Sequence, residues 1–448
     1  MGLFDKLRGD TDKPRVAFLG IDGVPDSLIQ DNPDVFPNLH ALSEDGASGE
    51  IESIVPPESS ACWPALTTGV NPGETGVYGF QDRENGSYET YVPMGRDVQA
   101  TRVWDRVTDA GRDATVVNVP VTFPPQGNLQ RMVSGFLSPG IEKASSDQEV
   151  AEYLESIDYR IDANAKLGHQ DDKSAFIENA HETLDARYEA FSHYIAADDW
   201  DLFFGVFMTT DRVNHFLYGD YAQDGEYKEE FLDFYEKVDE YIGRLRDQLP
   251  DDVTLIVASD HGFQTEAYEV YLNTWLHAEG WLDFRTSDPE NLDDISSETK
   301  AYSFIPGRFY LNLDGREPRG SVPQADYDDV RNDLAAKLES LTGPDGDPVI
   351  ERVVTKADAF AGPHDDIAPD LVAIPREGFD LKAGFSDDHD VFEHGPRNGM
   401  HSFDDATLFV DDPAASIADT NLYDITPTIL DLMEMDYDQR EFDGTSLV

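Results

Sequence analysis

Side chains that commonly ligate metals recur along the chain, each where an apolar run ends or a short helix is expected to begin. They are, together with one hydroxyl group, Asp22, Ser59, Asp211, His215, Asp260, His261 and His401. Mixed carboxylate and imidazole ligands suit Zn²⁺ or Mn²⁺ better than Ca²⁺. Two such ions about 4 Å apart can clamp the attacking and leaving oxygens of an in-line displacement at phosphorus. The series therefore predicts phosphate-ester chemistry at a two-metal site.

Three of these side chains directly follow buried strands in the predicted structure. Asp22 follows the apolar run 15–21, and Asp260 and His261 follow the apolar run 253–258. Open α/β sheets bind their ligands at the carboxyl ends of their strands. An Asp-Gly pair such as Asp22–Gly23 is also an ordinary strand-terminating turn, so Asp22 alone decides nothing.

Asp211 and His215 follow the apolar run 200–208 and stand four residues apart. If the chain turns helical there, both side chains lie on one face and can reach one ion. An acidic residue at a helix start is the ordinary alternative. His401 is expected in a loop before a strand at 406–410. It becomes a candidate because the set of metal ligands lacks one imidazole without it.

Ser59 stands between a predicted strand at 49–55 and a predicted short helix at 61–69. A hydroxyl at such a junction lies beside helix N-terminal amides, which can hold a phosphate. The alternative is that Ser59 or Ser60 serves only as the helix N-cap.

Taken together, these motifs resemble the alkaline phosphatase superfamily and, within it, the type I phosphodiesterase/nucleotide pyrophosphatase family. The segments around Asp22, Ser59, Asp211, Asp260 and His401 occur in family order, as do residues 71–76, 368–371 and 424–430. The resemblance covers roughly residues 15–435. It implies a phosphoric ester hydrolase, most closely a phosphodiesterase, acting through a phosphoseryl intermediate on a small-molecule phosphate ester.

The resemblance also implies roles for individual residues. Asp211, His215 and His401 would hold one divalent ion, and Asp22, Asp260, His261 and Ser59 the other. Zn is favoured over Mn by the number of histidines. Counting nine residues back from Thr68 gives Ser59 as the nucleophile, with Ser60 as the fallback. The family's proline two residues after the nucleophile is Ala61 here.

Three alternatives share this fold. A phosphotransferase resembling the cofactor-independent phosphoglycerate mutases would carry a larger insertion after the nucleophile segment. A sulfatase is suggested by Cys62–Trp63–Pro64, but the expected arginine is replaced by Leu66. A non-catalytic binding protein would have lost a ligand. The sequence does not choose among Arg83, Arg212 and Arg308 as phosphate-binding residues.

The chain is strongly acidic, with 33 Lys and Arg against 91 Asp and Glu and a net charge of −58 over 448 residues. The acid is dispersed, which disfavours nucleic-acid and anionic-membrane partners and resembles proteins of salt-loving archaea. Blocks of charge, expected of a protein that binds a basic partner, are not evident. One cysteine and no signal-like segment favour a cytoplasmic location, and no apolar run is long enough for stable membrane insertion. The oligomeric state stays open.

Alternating strands and helices predict an α/β fold, which the resemblance makes an alkaline phosphatase-like central, mostly parallel sheet with helices on both faces. Residues 1–14 are expected to form a tail, and residues 15–284 and 366–448 the metal-binding core. Residues 285–365 change in character and are expected to form a small α+β cap inserted into that core.

Overall fold

Strands and helices alternate along the first two thirds of the chain. The computed structural model describes residues 13–287, 289, 291–384 and 390–448. The strands are β1 (Arg15–Ile21), β2 (Ala47–Ile51), β3 (Asp82–Arg83), β4 (Thr90–Tyr91), β5 (Ala114–Val117), β6 (Arg131–Val133), β7 (Leu202–Phe207), β8 (Val253–Ala258), β9 (Gly262–Tyr271), β10 (Ala301–Phe304), β11 (Arg308–Leu311), β12 (Ile350–Thr355), β13 (Leu371–Pro375), β14 (Gly378–Lys382), β15 (Phe392–Glu393), β16 (Gly399–Ser402) and β17 (Ala406–Val410). The helices are α1 (Asp26–Asp31), α2 (Pro37–Asp45), α3 (Ser59–Thr68), α4 (Pro72–Thr75), α5 (Val103–Asp109), α6 (Ile141–Ala144), α7 (Gln148–Ser156), α8 (Ala165–Gly168), α9 (Ser174–Ala196), α10 (Thr209–Ala222), α11 (Lys228–Arg246), α12 (Leu272–Ala278), α13 (Tyr327–Glu339), α14 (Lys356–Ala359) and α15 (Ile425–Leu432).

The central sheet has seven strands in the order β2-β17-β8-β1-β7-β5-β6. Strand β17 runs antiparallel to both of its neighbours, and β8, β1, β7, β5 and β6 run parallel to one another. Parallel sheets are covered on both faces, so their strands are apolar throughout. The apolar runs 15–21, 200–208 and 253–258 correspond to β1, β7 and β8 of this sheet, and the expected α/β class is confirmed.

Strand β1 shows how the sheet separates two apolar cores. Val16 and Phe18 face a core formed with helices α3, α5 and α15. Ala17 and Leu19, which point the other way, face a core formed with α2, α9, α10 and α11. Within the part of the chain that the structure describes, no helix has both the length and the apolarity needed to cross a bilayer.

Among the described residues, three smaller sheets lie outside the central one. The first has the order β10-β11-β13-β12, the second joins β14, β9 and β15, with β16 also pairing with β9, and the third pairs β3 with β4. The sequence placed residues 371–374 in the core, but Leu371 pairs with Phe309 and Thr355 in the first small sheet. A buried strand gives no local sign of which sheet it joins. The proposed division at 284/285 and 365/366 stays a prediction.

Near its carboxyl end, β1 has no space for a side chain at Gly20. An added Cβ atom would lie 2.4 Å from Trp63 Cη2 and 2.9 Å from Val206 Cγ2. We therefore expect Gly20→Ala to lower the free energy of unfolding by about 1–3 kcal/mol, as overpacking does. Denaturant titration at high salt measures this change.

The matched control is Gly127→Ala, because Gly127 has open space around its Cβ position and no positive φ. It should leave the stability nearly unchanged. Equal stability of the two variants would contradict the close packing between β1 and Trp63.

Candidate active site

The carboxyl ends of three adjacent parallel strands meet at one edge of the central sheet. In the register of the sheet, Ile21 pairs with Phe207 and Gly20 pairs with Ala258. Asp22 follows β1 directly, Asp260 follows β8, and Asp211 lies in the first turn of α10 after β7. Strand pairing therefore brings together carboxylates that are far apart in the sequence.

Asp22 is buried and fixed through both of its carboxylate oxygens. Oδ1 accepts a hydrogen bond from Ser59 Oγ at 3.2 Å, and Oδ2 accepts one from Trp63 Nε1 at 2.7 Å. Asp260 is equally buried, and its Oδ1 accepts from the amide of Gly23 at 3.2 Å. Its Oδ2 has no hydrogen-bond partner in the described part of the chain.

Each of the three histidines has its Nδ1 atom against a backbone carbonyl. The distances are 3.0 Å from His215 to Gly399 O, 3.0 Å from His261 to Gly262 O and 3.1 Å from His401 to Pro57 O. A proton on Nδ1 satisfies the carbonyl and leaves Nε2 with a lone pair, which is the usual arrangement of metal-ligating histidines.

The Nε2 atoms converge on the carboxylates. His401 Nε2 lies 3.2 Å from Asp211 Oδ1 and 3.1 Å from His215 Nε2. His261 Nε2 lies 3.7 Å from Asp22 Oδ1, 3.6 Å from Asp260 Oδ2 and 3.1 Å from Ser59 Oγ. All seven residues singled out in the sequence are thus brought together.

Two sets of ligand atoms are compact enough to hold an ion. The atoms of Asp22, Asp260 and His261 lie within 4.8 Å of one another, as do those of Asp211, His261 and His401. His261 belongs to both sets, whereas the family resemblance grouped it only with Asp22, Asp260 and Ser59. The Nε2 lone pairs of His215 and His401 face each other, and Asp260 Oδ2 has no hydrogen-bond partner in the described part of the chain. Bound divalent cations would give these atoms a partner.

The pKa values of the carboxyl groups also indicate that the site needs positive charge. Burial and the Asp260 carboxylate raise the pKa of Asp22 well above its usual range, and burial raises the pKa of Asp260 to about 7. Burial acts to raise the pKa of Asp211 too, but the His215 imidazole holds it well below its usual range. Burial lowers the pKa of both His215 and His261. Lower pKa values favour the neutral imidazole of His215 and His261, which is the form that binds metals.

Ser59 and Ser60 face different groups. Ser59 is the first residue of α3, and its Oγ lies between Asp22 and His261. The hydroxyl and amide of Ser60 instead face the Glu58 carboxyl. This geometry favours Ser59 over Ser60 as the attacking group.

Arg212 is the one of the three candidate arginines that reaches the site. Its Nη1 donates to Asp211 Oδ2 at 2.7 Å and its Nε to Asp162 Oδ2 at 2.9 Å. Arg83 is instead buried in an ion pair with Glu317, and Arg308 in one with Asp82. Those two arginines hold the fold together and do not line the active-site cavity.

A cavity of about 520 Å³ opens over Ser59, Asp211, His215 and His401. Its wall also contains cations that the sequence gave no reason to select, namely Lys166, Lys382 and Arg397. Trp63, whose indole Nε1 donates to Asp22 Oδ2, was likewise not among the residues selected from the sequence. Neither kind of contribution has a local signal, because each depends on contacts between distant segments.

Solved structures with the same fold cover almost the whole chain. Phosphonoacetate hydrolase from Sinorhizobium meliloti 1021, in complex with phosphonoformate, is 16% identical with a TM-score of 0.62, covering 94% of this chain and 96% of that one. Murine ectonucleotide pyrophosphatase/phosphodiesterase 5 is 16% identical with a TM-score of 0.55, covering 96% and 97%. An inactive form of the murine protein in complex with AMP gives 16% identity and a TM-score of 0.56, covering 97% and 98%. At such low identity these likenesses show the fold.

No curated protein matches the chain significantly. The family described as type I phosphodiesterase/nucleotide pyrophosphatase, however, matches residues 16–404, which include every residue of the site described above. The chain therefore belongs to the type I phosphodiesterase/nucleotide pyrophosphatase family of the alkaline phosphatase superfamily, and it is a phosphoric ester hydrolase.

Proposed function

We propose that this enzyme hydrolyses small-molecule phosphodiesters through a phosphoseryl intermediate on Ser59, with two divalent ions at the active site. The observation that carries the proposal is the position of Ser59 Oγ, 3.2 Å from Asp22 Oδ1 and 3.1 Å from His261 Nε2. The attacking hydroxyl thus lies against the ligand set and at the N-terminus of α3, where free amides favour a phosphate.

We divide the residues between the two ions as the family resemblance implies. Asp211, His215 and His401 would hold one ion, and Asp22, Asp260, His261 and the Ser59 hydroxyl the other. When bound, these ions supply Lewis acidity toward the phosphoryl oxygens and a lower pKa of the serine hydroxyl. The three histidines favour Zn²⁺ over Mn²⁺.

The protein's own contribution is covalent catalysis and orientation. The Ser59 Oγ–phosphorus bond forms while the bond from phosphorus to the leaving oxygen breaks, and the serine proton leaves with the alcohol. Water then cleaves the phosphoseryl ester, which releases a phosphate monoester and restores the hydroxyl. Arg212, held by Asp211 and Asp162, keeps the Asp211 carboxylate aimed at the histidines.

Sulfatase chemistry is disfavoured by the position of Cys62. Its Sγ lies 3.4 Å from Ser53 Oγ and 3.9 Å from Pro56 O, and its side chain, on α3, is buried in the apolar core. Cys62 does not line the active-site cavity. It is a packing residue rather than a reactive group.

Replacing the nucleophile should abolish turnover while leaving the metal site largely intact. We expect Ser59→Ala to lower kcat by at least about a thousandfold, as loss of a nucleophile does. Assays with bis-p-nitrophenyl phosphate and p-nitrophenyl phosphate, together with elemental analysis, test this; the wild type should hold about two Zn²⁺ or Mn²⁺ per chain.

Ser60→Ala is the matched control, since it removes the same group one residue later and should keep most of the activity. Equal losses in the two variants, or a metal-free and fully stable wild type, would contradict the mechanism. Interconversion of phosphoglycerates without phosphate release would instead support a phosphotransferase.

The Cys62 thiol should be inert in the folded protein. Burial raises the pKa of Cys62 well above its usual range, so almost no thiolate is present near neutral pH. We expect thiol reagents to label the native protein far more slowly than the denatured protein. Fast native labelling with loss of activity would place Cys62 at the surface and in the reaction.

The acidity of the chain supports the proposal that the protein works in a cytoplasm of high ionic strength. At a net charge of −58, repulsion is screened over about 3 Å at 1 M salt but only over about 30 Å at 0.01 M. We expect structure and hydrolysis to be lost together as KCl falls from about 3 M to about 0.05 M. Far-UV circular dichroism and the diester assay follow this transition.

Recovery of both signals on adding salt back would separate screening from irreversible damage. Full structure and activity in dilute buffer would contradict the proposed salt requirement. The proposed hydrolytic mechanism would still stand.

A further inference from the structure

Arg212 is held at the wall of the active-site cavity from three sides. Its Nε donates to Asp162 Oδ2 at 2.9 Å, and its Nη1 donates to Asp211 Oδ2 at 2.7 Å. The Phe136 ring lies against the guanidinium, with 4.7 Å between Cζ and the ring centroid. Two carboxylates and one aromatic ring therefore fix the guanidinium before any substrate arrives.

The Nη2 atom of Arg212 has no hydrogen-bond partner among the described residues. Arg308 shows the contrast, because its Nε, Nη1 and Nη2 all donate to protein oxygens. Arg308 thus uses every nitrogen within the fold, whereas Arg212 keeps both N–H groups of Nη2 for another acceptor. A charged donor of this kind on a cavity wall is available to an anionic ligand.

Asp162 is itself fixed by its own loop and by a buried arginine. Its Oδ1 accepts from the amide of Ala163 at 2.8 Å, which leaves Oδ2 for Arg212. Arg187, on α9, is fully buried, and its Nη2 donates to the carbonyls of residues 160–161, both at 2.8 Å. The loop is thus tied to α9 directly before Asp162, so the carboxylate that orients Arg212 has little freedom to move.

Short contacts connect this guanidinium with the nucleophile. Asp211, to which Nη1 of Arg212 donates, lies with its Oδ1 3.2 Å from His401 Nε2. A ligand atom of His261 lies within 4.8 Å of both residues, and its Nε2 lies 3.1 Å from Ser59 Oγ. Ser59 and Arg212 also line the same cavity. A phosphoryl group that meets Ser59 therefore enters beside this guanidinium.

We propose that Arg212 is a catalytic residue whose Nη2 donates to a non-bridging oxygen of the reacting phosphoryl group, and that Asp162 is the positioning residue that aims it. This inference rests on the proposed function and adds two residues to it. A charged donor that is fixed in advance stabilises the transition state without having to reorganise. Lys382, another cation of the cavity wall, pairs with Asp380 instead. The competing role for Arg212 is only to hold Asp211 against a metal ion.

The first experiment measures turnover and metal content of the same variants of the full chain. We expect Arg212→Ala to lower kcat/KM for bis-p-nitrophenyl phosphate by about a hundredfold or more, as removal of one transition-state donor does. Elemental analysis should still find the wild-type metal content. Arg212→Lys keeps the charge but loses the planar fork, so it should regain only part of the rate. Guanidinium chloride, at concentrations too low to denature, should raise the activity of Arg212→Ala and not that of Ser59→Ala.

Binding of inorganic phosphate gives a second readout that needs no turnover. In a Ser59→Ala background with metal bound, isothermal titration calorimetry should show phosphate binding weakened by at least about tenfold when Arg212→Lys is added, because a charge-assisted hydrogen bond is lost.

Asp162→Asn tests the positioning role. The two oxygens of Asp162 accept from Ala163 and from Arg212, and a single amide cannot accept on both sides. We expect kcat to fall about tenfold with little change in KM, because the lost interaction belongs to the transition state. Glu182→Gln is the matched control, since Glu182 also pairs with an arginine of this loop, Arg160, but lies outside the cavity. It should keep the wild-type kcat.

The outcomes separate the two proposals. A wild type that cleaves no ester, or a fully active Ser59→Ala, overturns the proposed function and this inference with it. If the hydrolase stands, wild-type turnover in Arg212→Ala, or a loss of turnover that matches a loss of metal, limits Arg212 to holding Asp211 and overturns the inference. An unchanged kcat in Asp162→Asn overturns the positioning role. If Arg212→Ala does not fold, the phosphate titration of Arg212→Lys decides, and unaltered affinity there overturns the proposal.

Discussion

The active site depends on the burial of acidic groups that repel one another. Asp22 and Asp260 place oxygens within 4.8 Å of each other and of His261, out of contact with water. The Trp63 indole and the Gly23 amide offset part of this charge, and neutral histidines add none. A buried charge without a partner is strongly unfavourable. Cations bound at this edge of the sheet would therefore complete the fold as much as the chemistry, since metal affinity and folding draw on the same free energy.

The ligand residues are held in place because they lie on strands and helices, which are rigid. Asp22 and Asp260 stand at the ends of buried strands, Asp211 and His215 share one face of α10, and His401 lies on β16. Elements of this kind hold side chains more narrowly than loops do. Backbone carbonyls fix the ring of each histidine through Nδ1, so the ligand set is oriented before any ion arrives.

The local part of this arrangement could be predicted from sequence, because it rests on periodicity and on strand ends. Apolar runs located β1, β7 and β8, and the four-residue spacing placed Asp211 and His215 on one helix face. What depends on pairing between distant segments could not be predicted. Residues 371–374 lie in a smaller sheet and not in the central one, and His401 lies on a strand and not in a loop. The different positions of Arg83, Arg212 and Arg308 depend on which carboxylate each one contacts. No local sequence pattern indicates these partners.

The pairing of β16 with β9 also orders events during synthesis. The register places His401 opposite Phe263, two residues after His261, so the last imidazole joins the site only through a strand made late. Asp22 leaves the ribosome long before His401, because 379 positions (401 − 22) separate the two residues. The ligand atoms of Asp22, Asp260 and His261 can therefore come together before β16 docks, whereas the set that contains Asp211, His261 and His401 is completed only then. The two sets are thus completed in sequence and not at the same moment.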